Sequence, residues 1–199
     1  MALPYFYQAE NVGKFLYTDQ LFGKNKLLWM AEMKKDKQQI VVKYTYRYNK
    51  EAHELCYNIG KVPKLLYIRK TCGFYYVVME YIDDKKLDDC DVEHSVYEKI
   101  IKDIKEAVKL LHSNDIIFTD LHDTNILVIQ DENDEYRGML VDFDWAGVNN
   151  VDSYPSLMNP DVNWPIGAKD KMPLKKEHDI SWLNFWKVVY LSGYVDDNN

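Results

Sequence analysis

The chain has 199 residues, of which 47% are hydrophobic, 14% aromatic and 29% charged. That apolar content excludes a disordered chain, whose mark is low hydrophobicity, and the length suits one domain or two small lobes sharing a core. The 25 basic and 32 acidic residues give a formal charge of −7, which argues against a nucleic-acid partner, since phosphate backbones need basic surface.

No apolar run approaches the ~18 residues of a membrane span, and residues 1–13 lack the basic start and apolar stretch of a secretory signal, so no membrane partner is expected. Cys56, Cys72 and Cys90 are odd in number and form no Cys-x-x-Cys pair, which disfavours a disulfide framework and a zinc cluster. Free thiols suit an intracellular location, cytoplasmic or nuclear.

Residues 27–33 and 40–46 read as a hairpin about the charged turn Lys34-Lys35-Asp36-Lys37, with Val41 and Val42 suited to a buried strand. Asn49 offers an N-cap, Ala52, Leu55, Cys56 and Ile59 follow at helical spacing, and Gly60 is placed to end the helix. Residues 65–69 and 74–82 read as two more strands, turned at Cys72-Gly73. An acidic linker covers residues 83–89. Residues 91–112 are the longest periodic segment, with Val96, Ile100, Ile104, Val108 and Leu111 on one helical face. Short apolar strands at 126–130 and 139–142 flank a polar turn at 131–136. Residues 145–176 lack periodicity, contain Pro155, Pro160, Pro165 and Pro173, and read as a long functional loop. Residues 177–191 read as a final apolar helix. The order is a β-rich lobe over residues 1–82 and a helical lobe over residues 83–199, together one domain.

The chemistry lies in spacing. Asp120 stands five residues before Asn125, a strand of Ile126 and Leu127 follows, and Leu140-Val141-Asp142-Phe143-Asp144 comes after its return. Phosphoryl transfer to a hydroxyl needs such a set. One carboxylate accepts the hydroxyl proton, while an amide oxygen and a second carboxylate hold Mg²⁺ against the nucleotide phosphates. A lone carboxylate ending an apolar strand is costly unless paired or metal-bound, which makes Asp142 the strongest metal candidate.

These segments resemble the catalytic loop and metal-binding motif of the protein-kinase-like superfamily. Val41-Val42-Lys43 looks like the third-strand motif whose lysine holds the α- and β-phosphates, and Glu51 like the helix C glutamate that pairs with it, with Glu54 as the alternative. Val77-Val78-Met79-Glu80-Tyr81-Ile82 resembles the hinge, with Met79 as gatekeeper and the backbone of Glu80 and Ile82 toward adenine. His178-Asp179-Ile180-Ser181-Trp182-Leu183 resembles the start of helix F, whose Asp braces the catalytic loop. The resemblance implies an α+β, bilobal protein-kinase-like fold: a small β-rich N-lobe with one helix, and a shortened helical C-lobe. It implies ATP and Mg²⁺ as cofactors. It assigns Asp120, Lys43 and Glu51 to catalysis, Lys43, Val41, Met79, Glu80, Ile82 and Leu127 to the nucleotide, and Asn125 and Asp142 to the metal.

The departures carry information too. The stretch from Leu21 to Leu27 has one Gly where protein kinases carry a Gly-rich loop, with Lys24 or Lys26 as charged substitutes. Phe118-Thr119 replaces the usual His-Arg, the pairing partner of a phosphorylated activation loop. His122 stands where Lys is usual, and reads as a hydrogen-bonded loop histidine or as an acceptor-side or phosphate contact. Asp144 stands where Gly is usual, as a third metal ligand or a solvated turn residue. Asp83 and Asp84 read as a solvated linker or as ribose ligands. Asp120-Leu121-His122 with Asn125, then Asp142-Phe143-Asp144, is similar to the aminoglycoside and choline kinase-like enzymes. The hinge and helix F are closer to protein kinases, and residues 47–55 with Pro63-Lys64-Leu65-Leu66 are similar to compact kinase-like proteins of fungi. The chain stops soon after helix F, which weakens a protein acceptor. The implied function is an ATP- and Mg²⁺-dependent phosphotransferase acting on a hydroxyl, of protein Ser/Thr or of a small molecule. The alternative is a pseudokinase serving as a protein-interaction module. Ile180, Leu183, Phe185, Trp186, Val189 and Tyr190 on the final helix imply a partner or cover there.

Overall fold

Side chains alternate across six antiparallel strands, and that alternation divides the first half of the chain into two apolar layers. The computed structural model describes residues 7–9, 12–21, 27–83, 85–87, 93–130, 133 and 135–191; Lys24, Lys26, Asp84 and Cys90 lie outside them. The strands are β1 (Tyr7–Ala9), β2 (Gly13–Gln20), β3 (Leu28–Met33), β4 (Gln39–Thr45), β5 (Leu65–Thr71) and β6 (Phe74–Glu80), in the order β1-β2-β3-β4-β6-β5. Ile40, Val42 and Val78 face one layer with Phe15 and Ala31, while Val77 and Met79 face the main core with Val41 packed against it. The expected hairpin and the Cys72-Gly73 turn are present, the latter with φ of 49° and 83°. β1 and β2 extend the sheet beyond the strands read from the sequence, turning at Gly13 with φ of 95°, a conformation that glycine adopts without strain.

Helix α1 (Lys50–Asn58) starts where expected: the Asn49 side chain accepts a hydrogen bond from the Ala52 N–H at 2.9 Å. It buries Ala52, His53 and Cys56. The His53 Nε2–H donates to the Pro63 carbonyl at 2.8 Å, so Nδ1 accepts from the Tyr48 hydroxyl at 2.6 Å. The same ring packs on Phe143 at 5.1 Å. Burial lowers the His53 pKa, opposed by the bond to Pro63, and pushes the Cys56 thiol up to about 12.

The second half is built on α2 (His94–Ser113), whose buried face is Tyr97, Ile100, Ile101, Ile104, Ala107, Val108 and Leu111. Against it lies a small sheet of β7 (Lys85–Lys86), β9 (Ile126–Gln130) and β10 (Tyr136–Leu140), in the order β10-β9-β7. The acidic linker is thus partly structured: its two lysines pair with β9, and Leu87 is buried. The second strand of the return begins at Tyr136 rather than at residue 139. β8 (Ile116–Ile117) and β11 (Gly147–Val148) form a short ladder that holds the start of the long loop. That loop is aperiodic, yet fixed: the Asp170 carboxylate accepts from the N–H of Leu157 (2.7 Å) and Met158 (3.0 Å).

Helix α3 (Lys176–Leu191) turns Trp182, Leu183 and Trp186 into the core and leaves Ile180, Phe185, Val188 and Val189 exposed. Leu183 and Trp186, expected at an uncovered surface, are covered by the chain itself. Among the described residues no helix is long and apolar enough to cross a membrane.

Two outcomes follow from this packing. A Cβ on Gly138 would lie 3.0 Å from the Ile100 carbonyl oxygen and from its Cγ2, so Gly138→Ala forces β10 off α2. A loss of about 1–3 kcal/mol is expected, read as a lower urea midpoint at unchanged slope. The second concerns pH. Folded His53 has a pKa below its unfolded value, so the unfolded chain binds the extra proton; stability is complete above about pH 6.5 and falls as pH drops through the window beneath it. Thermal melts from pH 7 to 5 should show this slope, and His53→Gln should flatten it relative to the parent.

Candidate active site

Asp179, in the first turn of α3, is fully buried and accepts three hydrogen bonds. Its donors are the backbone N–H groups of Phe118 and Thr119 and the His112 Nε2–H, each at 2.9 Å. This grip holds Thr119 at φ of 74°, a conformation a β-branched residue keeps only when its surroundings impose it. The backbone then folds back on itself. The Asp120 N–H donates to the Phe118 carbonyl at 3.0 Å, and the Asn125 side-chain amide donates to the Asp120 carbonyl at 2.8 Å. A 3-10 turn over Asp123–Asn125 leads into β9, and the Val141 N–H donates to the Asn125 carbonyl at 2.9 Å. Residues 118–125 and the segment that starts at Val141 are therefore one hydrogen-bonded unit.

Lys43 reaches this unit from β4. Its Nζ lies 2.7 Å from Asp142 Oδ1 and 2.8 Å from Asp144 Oδ1, and the Thr45 hydroxyl donates to Asp144 Oδ2 at 2.7 Å. Burial lowers the Lys43 pKa, but the two carboxylates outweigh it and hold the ammonium above its ordinary value. Burial, and then repulsion from Asp142, raise that of Asp144. The expected Lys43 partner is corrected here. Glu51 is exposed in the first turn of α1, and Glu54 pairs with Lys50 at 3.2 Å. The rotation of α1 that buries Ala52 and His53 leaves both glutamates outside. Asp144 is accordingly not a solvated turn residue. The signal that could have found it is Thr45, two residues beyond Lys43 and so on the same strand face.

Beside this cluster runs a cleft of about 240 Å³. Val41, Met79 and Leu127 line its apolar part, Glu80 and Ile82 its rim along the hinge, and Lys43, Asn125 and Asp142 its polar end. Val41, Lys43, Met79, Glu80, Ile82, Leu127, Asn125 and Asp142 thus line one cavity, whereas Asp83 and Asp144 do not. Asp120 adjoins it through Asn125. The donor set fits Mg²⁺: Asn125 commits its amide N–H to Asp120, leaving its oxygen, and Asp142 adds a carboxylate. Two protein oxygens suit an ion that keeps waters and phosphates in its shell. Among the described residues no cluster of three or more His, Cys, Asp or Glu forms a closed metal cage.

His122 packs against both Trp164 (ring centroids 4.8 Å apart) and Trp182 (5.0 Å), with Nε2 at 3.3 Å from Asp120 Oδ1. Trp164 also stacks on Trp145 at 5.6 Å. The long loop thus supplies an aromatic pair that packs on His122, an arrangement no periodicity in that loop signals. Asp83 is exposed beyond the hinge and accepts from the Tyr81 hydroxyl at 3.4 Å.

The sequence matches the family model of the protein kinase domain over residues 24–160, more than half of the chain. The fold is similar to that of the kinase PK-1 of Cydia pomonella granulovirus, with a TM-score of 0.70 and 18% identity, over 96% of this chain and 73% of that one. No curated protein matches the chain. The α+β bilobal arrangement implied by the motifs is the one found, with a β-rich N-lobe and a small helical part. Its sequence match and its fold agree, and the chain belongs to the protein kinase domain family.

Proposed function

We propose that the chain is an ATP- and Mg²⁺-dependent phosphotransferase that moves the γ-phosphoryl group to a hydroxyl. The observation that carries this reading is the convergence of Lys43, Asn125 and Asp142 on one end of an apolar cleft beside Asp120. Adenine occupies the apolar part between Val41, Met79 and Leu127, against the hinge at Glu80 and Ile82. Lys43 holds the α- and β-phosphates. Asn125 and Asp142 hold Mg²⁺, which neutralises charge on the phosphates when bound. Asp120 accepts the proton of the acceptor hydroxyl as its oxygen bonds to the γ-phosphorus and the bond to the bridging oxygen breaks, leaving ADP.

The acceptor is a protein Ser/Thr or a small alcohol. Trp164, packed on His122, and Trp145, stacked on Trp164, favour an acceptor with an apolar face, because half-buried indoles are surfaces for flat or apolar groups. A second reading, an interaction module on the same fold, is favoured by the closure of Lys43 onto both aspartates. Phosphates must compete with that cluster to engage the ammonium.

Calorimetric titration of the full chain with ATP separates the two. With Mg²⁺ the parent should bind, and Asp142→Asn should lose the metal-dependent part of the affinity. Asp120→Asn should keep nucleotide affinity and lose turnover by about 10²- to 10⁴-fold, read as release of labelled phosphate or its transfer to an added alcohol. Absence of binding at millimolar ATP, or affinity indifferent to Mg²⁺, would favour the interaction module.

A further inference from the structure

We propose that Asp144, rather than a glutamate of α1, is the resident brace of Lys43: a positioning residue that holds the ammonium in place for the nucleotide phosphates. This rests on the nucleotide reading of the cleft. Three observations carry it.

The first is the grip on the carboxylate. One Asp144 oxygen lies 2.8 Å from Lys43 Nζ and the other accepts from Thr45 at 2.7 Å. Lys43 and Thr45 share one face of β4, so a single strand holds both ends of the carboxylate and fixes its direction. The second is the lock on α1. Bringing Glu51 inward means rolling the helix by roughly 100°, one residue's turn. That roll would break the bonds from His53 to Tyr48 and to Pro63, and its ring contact with Phe143. It would also strain the helix start. There the Asn49 N–H donates to the Phe143 carbonyl at 3.0 Å, and its side chain donates to the Ala146 carbonyl at 3.3 Å.

The third is a division of labour. Asp142 lines the cleft with Asn125, whereas Asp144 does not. Two carboxylates on one ammonium leave the cluster with one surplus negative charge. Asp142 would be the carboxylate that a divalent cation in the cleft draws on, leaving Lys43 paired with Asp144. Metal ligand and lysine brace then stand two residues apart on one backbone segment. Lysine alignment is independent of any swing of α1.

The test compares variants of the full chain by calorimetry, using ADP with Mg²⁺ and, separately, adenosine. Asp144→Asn should weaken ADP by about tenfold, the scale of one charge-assisted hydrogen bond, and leave adenosine unchanged, because Lys43 meets only phosphates. Thr45→Val, which loosens the same carboxylate without removing it, should weaken ADP by a smaller factor. Glu51→Gln should stay within about twofold of the parent for both ligands. Equal weakening of adenosine by Asp144→Asn would reduce Asp144 to a structural residue and overturn the brace; so would a larger effect from Glu51→Gln. Failure of the parent to bind either ligand overturns the nucleotide reading instead. The brace is then decided by thermal melts of the ligand-free chain. Lys43→Met combined with Asp144→Asn should depart from additivity by about 2–4 °C, and with Glu51→Gln should add. Additivity with Asp144→Asn would overturn it.

Discussion

Three N–H groups converge on the Asp179 carboxylate, which is fully shielded from water. A carboxylate in that position is costly unless its oxygens are satisfied, so its three partners are conditions for α3 to seat at all. The dependence runs both ways. Phe118 and Thr119 have their backbone directions set by Asp179, and the strained φ of Thr119 follows. Asp120, Asn125 and the bond to Val141 are then placed one after another by short hydrogen bonds. The final helix shapes the candidate active site chiefly from behind, through that carboxylate, with Trp182 packed on His122 as its nearer contact.

The N-terminal half meets this unit through Lys43 and Asn49. Lys43 binds the side chains of Asp142 and Asp144, while Asn49 binds the backbone on either side of Asp144. His53 packs on Phe143 from the same side. Sheet, helix and the segment from Asp142 to Asp144 are thereby tied at one point. The cleft between the two halves is bounded by elements whose relative position is fixed by polar bonds as well as by the shared core.

Much of this was legible in the sequence, for identifiable reasons. That Asn125 and Asp142 meet at one cleft beside Asp120 could be read, because the proposed phosphoryl transfer would constrain both their identity and their spacing. α1, α2 and the β3–β4 hairpin could be read because apolar periodicity and cap residues are local signals. β7 could not, since two adjacent lysines carry no apolar pattern and their pairing with β9 is set from outside the segment. The apolar character of α3 announced a helix but not its inward face; the packing that buries Trp186 chooses between Leu183 and Val188. Glu51 was misplaced for the same reason. Spacing after Lys43 cannot report how α1 is rotated, because that is decided by Tyr48 and Pro63 through His53. The Lys43–Asp144 pair joins residues 101 positions apart (144 − 43), beyond the reach of any pattern in one strand.

The central claim is that the polar end of the cleft is a metal–nucleotide site built from Asn125 and Asp142. Mn²⁺ shares the oxygen-rich octahedral preference of Mg²⁺ and broadens nearby amide resonances, so it reports location directly. On the isotopically labelled full chain, adding substoichiometric Mn²⁺ with a non-hydrolysable ATP analogue should erase the Asn125 and Asp142 amide signals first, and leave those of the β1–β2 hairpin intact. Broadening centred elsewhere, or none at saturating analogue, would contradict the account.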